Sequence, residues 1–210
     1  MPTVIRRAAE YAKAAHESID QRRKFTNEPY VIHPTAVAKI VASVTDDSEM
    51  ICAAWLHDVV EDTPRTVEQI ADEFGKSIAT LVAELTNIAT DRQGDRAKRA
   101  EINRAHTSGI SRRAKTIKLA DVIDNLTGIV NNEAGNLDTE WAGEYVSEKA
   151  LLITVLAEGN PLLYDRATDL IDRCRMLLET ATLKDKAVSY THLRAHETDS
   201  YLVCRLLREK

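Results

Sequence analysis

The chain has 210 residues, enough for one ordinary domain with a sizeable core, and its 44% hydrophobic and 29% charged residues are the balance of a soluble globular protein rather than a disordered one. A net charge of −5 argues against a general nucleic-acid binder, whose affinity comes from many Lys and Arg on phosphates, and leaves room for a small anionic ligand in a locally basic pocket. No apolar run approaches the ~18–20 residues of a membrane span, and residues 1–7 hold no apolar signal core, so no membrane association and a cytoplasmic location are expected.

With few Gly and Pro and abundant Ala and Leu, the elements read as helices in chain order. Residues 6–19 carry Ala8, Ala9, Ala12, Ala15 and Ile19 near a helical period. Residues 21–30 form a charged, Pro-containing connection. His33-Pro34 then opens a helix, since Pro suits a first helical turn, and Val37, Ile40 and Val41 give its apolar face. Residues 48–60 are almost continuously apolar and predict one buried central helix. Thr66 and Gln69 form a capping-box signature, and Gly75 is the stop. A helix over 77–85, a polar mobile loop over 88–96, helices over 97–105 and 113–130, an Asn/Gly-rich loop over 131–138, and helices over 140–156 and 161–183 complete the chain. The expected fold is all-α, a single helical bundle. Cys52, Cys174 and Cys204 are odd in number and have no paired spacing, so they predict neither a disulfide framework nor a zinc knuckle.

Residues 188–210 stand apart. Back-translated, Val188 to Thr198 resembles a transposase adapter used in sequencing libraries, and Leu202 to Leu207 resembles the primer end that follows an index. The expected domain is therefore 1–187, with 188–210 a non-native tail excluded from fold reasoning. The exclusion removes the His192/His196 pair, whose i,i+4 spacing would otherwise suggest a metal site.

Four features carry chemistry: His33 in Tyr-Val-Ile-His-Pro; His57-Asp58-Val-Val-Glu61-Asp62-Thr; Lys118-Leu-Ala-Asp121 with Asn125 four residues on; and the basic triplet Arg22-Arg23-Lys24. On a helix, His57 shares a face with Glu61, and Asp58 with Asp62. Three carboxylates at the end of an apolar helix are costly to bury unless a cation neutralises them. His33, His57, Asp58 and Asp121 offer two nitrogens and two carboxylates, a set suited to six-coordinate Mn²⁺, with Fe²⁺ or Mg²⁺ as alternatives, rather than to a closed structural zinc. Glu61 and Asp62, one turn beyond, are placed to orient or deprotonate a water made acidic by the metal. Asn125 can bond a substrate group beside Asp121.

The ordered motifs resemble HD-domain metal-dependent phosphohydrolases, and more narrowly the hydrolase domain of RelA/SpoT-type proteins and the stand-alone small alarmone hydrolases. The similarity covers roughly residues 5–180. It implies an all-α fold, Mn²⁺ on His33, His57, Asp58 and Asp121, and removal of the 3′-pyrophosphate from guanosine tetra- or pentaphosphate. It implies Glu61 and Asp62 at the attacking water, Asn125 near the ribose, and Arg23 and Lys24 at phosphates or base. Tyr145 and Lys149 are further candidates for substrate contact. The chain departs from the pattern at Ile123-Asp124, where many long members carry a basic or His residue, and in the 131–139 loop. Asp124 is expected as a supporting or surface carboxylate, Lys118 as the partner of a carboxylate or a packing residue, Trp55 as core beside the site, and His16 and His106 at the surface or core edge. Trp141 and Tyr145 suit either base stacking or core packing. Other readings stay open: hydrolysis of another nucleotide or phosphomonoester, such as a 2′-phosphorylated dinucleotide, or a non-catalytic nucleotide sensor.

Overall fold

Asp47, Thr66, Asp95 and Asp138 sit in extended backbone, and each turns a side-chain oxygen onto the free amides of the helix that follows. These caps set the starts of α3 (Ser48–Leu56), α5 (Val67–Phe74), α7 (Arg96–Ser108) and α9 (Thr139–Ile153) in a computed structural model that describes residues 3–23, 27–131 and 138–206, with side chains described through residue 183. At Thr66 the expected capping box is complete, with Gln69 returning to the Thr66 amide. The other helices are α1 (Thr3–Glu17), α2 (Ile32–Ala42), α4 (Val59–Asp62), α6 (Lys76–Leu85), α8 (Arg112–Asn131) and α10 (Pro161–Leu206). No strand occurs among the described residues; an isolated bridge pairs Arg22 with Pro29. Among the described residues, no helix is long and apolar enough to cross a membrane.

Three elements differ from the sequence reading. The helix expected over 48–60 breaks after Leu56: His57 caps α3, and Asp58 at φ −99°, ψ −5° leads into the short α4. The stretch 88–96 contains a 3₁₀ turn, Asp91–Gln93, held by its own Thr90–Gln93 box. The last helix continues past residue 187 as one 46-residue element. The loop expected over 131–138 falls mostly outside the described residues.

The centre of the bundle is α8, whose residues from Ala114 to Ile123 are all buried. It packs against α2, α3, α6, α9 and α10. Burial of side chains such as Ile117, Leu119 and Leu126, each fully covered, contributes about 1.5–3 kcal/mol apiece. Buried among them are Lys115, Lys118 and Asp121, and a buried charge persists only where it is partnered. Gly75, at φ +89°, ends α5 in a conformation that side chains rarely adopt. Gly159 has another reason: a Cβ there would lie 2.8 Å from Leu119 Cδ1 and 3.3 Å from the Lys115 carbonyl carbon. Cys52 and Cys174 are buried free thiols pushed up to about 11 by burial, so they behave as small apolar residues.

Candidate functional site

Three separate segments deliver the predicted donors to one point. His33 comes from the first turn of α2, His57 and Asp58 from the break between α3 and α4, and Asp121 from the middle of α8. His33 Nε2 lies 3.4 Å from Asp58 Oδ2 and 3.3 Å from Asp121 Oδ1. His57 Nε2 lies 3.0 Å from Asp58 Oδ2 and 3.9 Å from Asp121 Oδ1. Donor atoms of His33, His57 and Asp58 all fall within 4.8 Å of one another, a cluster able to hold a metal ion.

The chemistry of the donors fits such an ion. His57 Nε2 is buried and has no hydrogen-bond partner, while its Nδ1 donates to the Ala54 carbonyl at 2.9 Å, which leaves the Nε2 lone pair directed at the cluster. Separations of 3.0–3.9 Å are those that donors about 2.1 Å from a shared hexacoordinate ion span. The field is strongly negative. Burial opposes charge on His33, yet hydrogen bonds to Asp121, Asp124 and Asp58 raise its pKa well above the usual imidazole range. Burial opposes charge on Asp121 too, and Lys118 first, then the imidazoles, hold its carboxyl far below the ordinary value. Asp58 behaves alike, lowered by His57 and His33 against the cost of burial.

Supporting side chains fix these donors. Tyr30 donates from its hydroxyl to Asp58 Oδ2 at 2.5 Å. Asn125 donates Nδ2 to Asp121 Oδ1 at 2.6 Å, so its amide serves that carboxylate. Lys118 Nζ sits 3.1 Å from Asp121 Oδ2, both side chains under a tenth exposed, which resolves its role as the partner of a carboxylate. Asp124 accepts from His33 Nδ1 at 2.6 Å and from Arg23 Nη1 at 2.9 Å. Arg23 is thereby tied to α8. Lys24 lies outside the described residues.

Glu61 and Asp62 stand one turn past the break. Glu61 is exposed and held by Asn87, whose amide donates at 2.8 Å. Asp62 takes a 2.8 Å bond from Gln21 Nε2, and burial with the nearby Asp58 charge raises its pKa. Gln21 is oriented by His16: ring Nδ1 and Gln21 Oε1 are 2.7 Å apart, which makes His16 the donor there. His16 is fully buried against the Tyr30 ring, not at the surface or core edge. The signal was its i,i+4 spacing from Ala12 on the apolar stripe of α1. His106 is part-buried, bonded to the Glu84 carbonyl.

Lys118 also lines a cleft of about 340 Å³, together with Arg96, Arg99, Arg104, Lys149, Asn87, Asn103 and Glu148, the last paired with Arg96 at 2.7 Å. Its arginines come from α7 and were not singled out in the sequence, where that stretch reads only as part of a polar loop and a helix. Tyr145 stacks on Trp141 at 5.0 Å, with Lys149 Nζ 4.9 Å from the Tyr145 ring and Arg96 over Trp141, so the two aromatics form a wall of cation-capped rings. Trp55 packs partly buried against the core.

A family profile described as the HD domain matches residues 8–144, more than half the chain and the whole span of the cluster. The chain belongs to the HD-domain family. This HD domain is 37% identical over 164 residues to the guanosine-3′,5′-bis(diphosphate) 3′-pyrophosphohydrolase MESH1 of Xenopus tropicalis, covering 76% of the chain and 88% of that relative. It is 40% identical over 124 residues to the guanosine-3′,5′-bis(diphosphate) 3′-pyrophosphohydrolase of Aquifex aeolicus, covering 58% of the chain but 17% of that longer protein. The HD domain therefore spans less than a fifth of the length of such long relatives. A solved metazoan ortholog of SpoT, which hydrolyses ppGpp and plays a role in starvation responses, superposes with a TM-score of 0.73 at 29% identity, covering 82% of this chain and 96% of its own.

Proposed function

We propose that this HD domain hydrolyses guanosine 3′,5′-bis(diphosphate), and the pentaphosphate likewise, to GDP or GTP and pyrophosphate, with Mn²⁺ held by His33, His57, Asp58 and Asp121. One observation carries the reading: Lys118, paired with Asp121 of the two-His, two-Asp cluster, also lines a cleft that holds four more basic side chains and one acid, Glu148. That juxtaposition suits an anionic polyphosphate on an otherwise acidic protein. The likeness to MESH1 over most of both chains supports the substrate.

In the reaction, a water oxygen bonds to the phosphorus on the 3′ oxygen, the phosphorus–3′-oxygen bond breaks, the 3′ oxygen takes up a proton in place of the one water gives up, and pyrophosphate leaves the nucleoside 5′-diphosphate. A bound divalent ion supplies Lewis-acid chemistry, polarising a phosphoryl oxygen and acidifying water. Asp62, raised by burial and by Asp58 and oriented by Gln21, accepts the proton of the attacking water. Glu61, steadied by Asn87, orients that water. Lys118 and Lys149 meet phosphate oxygens at the mouth of the cleft. Asn125 Oδ1 remains available to the ribose while Nδ2 holds Asp121. By the likeness to the family, Arg23 and Lys24 meet phosphates or base, and Tyr145 is a further substrate contact. The functional unit is residues 1–187, and no residue of this site lies in 188–210.

Incubation with guanosine tetraphosphate, in parallel with Mn²⁺ and with EDTA, is read by ion-exchange chromatography. GDP and pyrophosphate in the Mn²⁺ arm alone are expected. Metal binding without turnover overturns the substrate assignment. Asp62→Asn is expected to lower kcat by about 10²–10⁴-fold with Mn²⁺ affinity retained.

A further inference from the structure

The two imidazoles of the cluster are backed differently. His57 Nδ1 donates to a neutral backbone carbonyl, that of Ala54, at 2.9 Å. His33 Nδ1 meets a carboxylate, Asp124 Oδ2, at 2.6 Å. Asp124 lies one helical turn from Asp121 on α8, so a single helix offers one carboxylate to the cluster and a second to the far edge of the ring that faces it. Because Nδ1 and Nε2 lie on opposite edges of the imidazole, Asp124 stands behind His33 and is not a fifth donor. The ring is 3% exposed and the Asp124 side chain 14%, so little water competes for the bond. Arg23 Nη1 reaches the same Oδ2 at 2.9 Å and balances its charge.

We propose that Asp124 is a positioning residue for metal capture: by accepting the Nδ1–H hydrogen bond of His33 it fixes the tautomer and the ring orientation that turn the Nε2 lone pair inward. The inference rests on the reading that His33, His57, Asp58 and Asp121 hold a divalent ion. A carboxylate behind a ligating imidazole strengthens and orients that ligand, and losing such a partner typically costs 10–100-fold in metal affinity. Arg23 then has a supporting part: it keeps the acceptor in place without touching the ring.

The test is calorimetric titration of the EDTA-stripped full chain with Mn²⁺. Wild type is expected to bind one ion at this site. Asp124→Ala is expected to weaken binding by about 10–100-fold. Asp124→Asn keeps an acceptor oxygen and is expected to recover part of that loss. Arg23→Met leaves the His33–Asp124 bond intact and is expected to stay within about threefold of wild type, far short of that loss. Nitrogen-15 spectra of the ion-free protein, taken at a pH high enough to leave His33 neutral, supply a readout independent of affinity: His33 is expected as the Nδ1-protonated ring in wild type and as a tautomer mixture in Asp124→Ala. Wild-type binding with an unchanged Asp124→Ala constant overturns the inference while leaving the metal site standing. Arg23→Met matching Asp124→Ala also overturns it, because Asp124 would then act only through its ion pair. Failure of the wild type to bind Mn²⁺ removes the metal reading and the inference together.

Discussion

At the scale of single residues, His16 shows how a group remote from the donors can be set against them. Its Nδ1 proton commits Gln21 Oε1, so the Gln21 amide nitrogen faces Asp62 rather than its oxygen. Burial lowers the pKa of His16 below the model-peptide value of 6.5, against the raising effect of Gln21 and the nearby carboxylates. Unfolded chains therefore bind the proton first as pH falls past about 6.5. The stability this residue contributes is complete above that value and is lost as pH drops toward the folded pKa. The difference in unfolding free energy between wild type and His16→Gln, measured by urea titration, is expected to shrink from pH 8 to pH 5. A difference that stays flat or grows contradicts the assignment of a neutral, Nδ1-protonated ring.

At the scale of elements, the turn before α10 approaches α8 where Gly159 meets Leu119 and Lys115. Replacing it by Ala forces the backbone of one element off the other, because the Leu156 carbonyl oxygen at 3.1 Å and the Lys115 carbonyl carbon at 3.3 Å cannot swing aside as a side-chain tip can. Gly159→Ala is expected to destabilise the fold by about 1–3 kcal/mol, seen as a lower urea midpoint with an unchanged slope. Apart from the continuation of α10 past residue 183, the helices were legible in the sequence to within a few residues, because caps such as Thr66–Gln69 and stops such as Gly75 act locally. The break at His57-Asp58 was not, since neither Gly nor Pro marks it and the apolar run continues into Val59 and Val60.

At the scale of the molecule, the donors join α2, the α3–α4 junction and α8, so an ion bound there cross-links the bundle. Mn²⁺ at about 100 times its dissociation constant is expected to add about 2.7 kcal/mol to the unfolding free energy. That gain should vanish with EDTA and in Asp58→Asn or Asp121→Asn; a thermal scan that does not respond to metal in the wild type argues against the cluster as a site. The sequence displayed the donors because they lie in short ordered motifs. It hid Asp124 behind His33, Tyr30 on Asp58 and the α7 arginines, since those contacts join residues far apart in the chain and carry no periodic mark. Their relation is a product of packing.

The interruption between α3 and α4 has a consequence for how portable the His-Asp dipeptide is. On an unbroken helix, neighbouring side chains leave the axis about 100° apart, and one of the pair would turn away. Here the regular helix is interrupted at the pair, with Asp58 at φ −99°, ψ −5°, and His57 Nε2 and Asp58 Oδ2 come to 3.0 Å. Grafting the two letters into the middle of a regular helix in another scaffold would therefore transplant one donor and strand the other; the unit to move is the dipeptide together with the bend that follows Leu56.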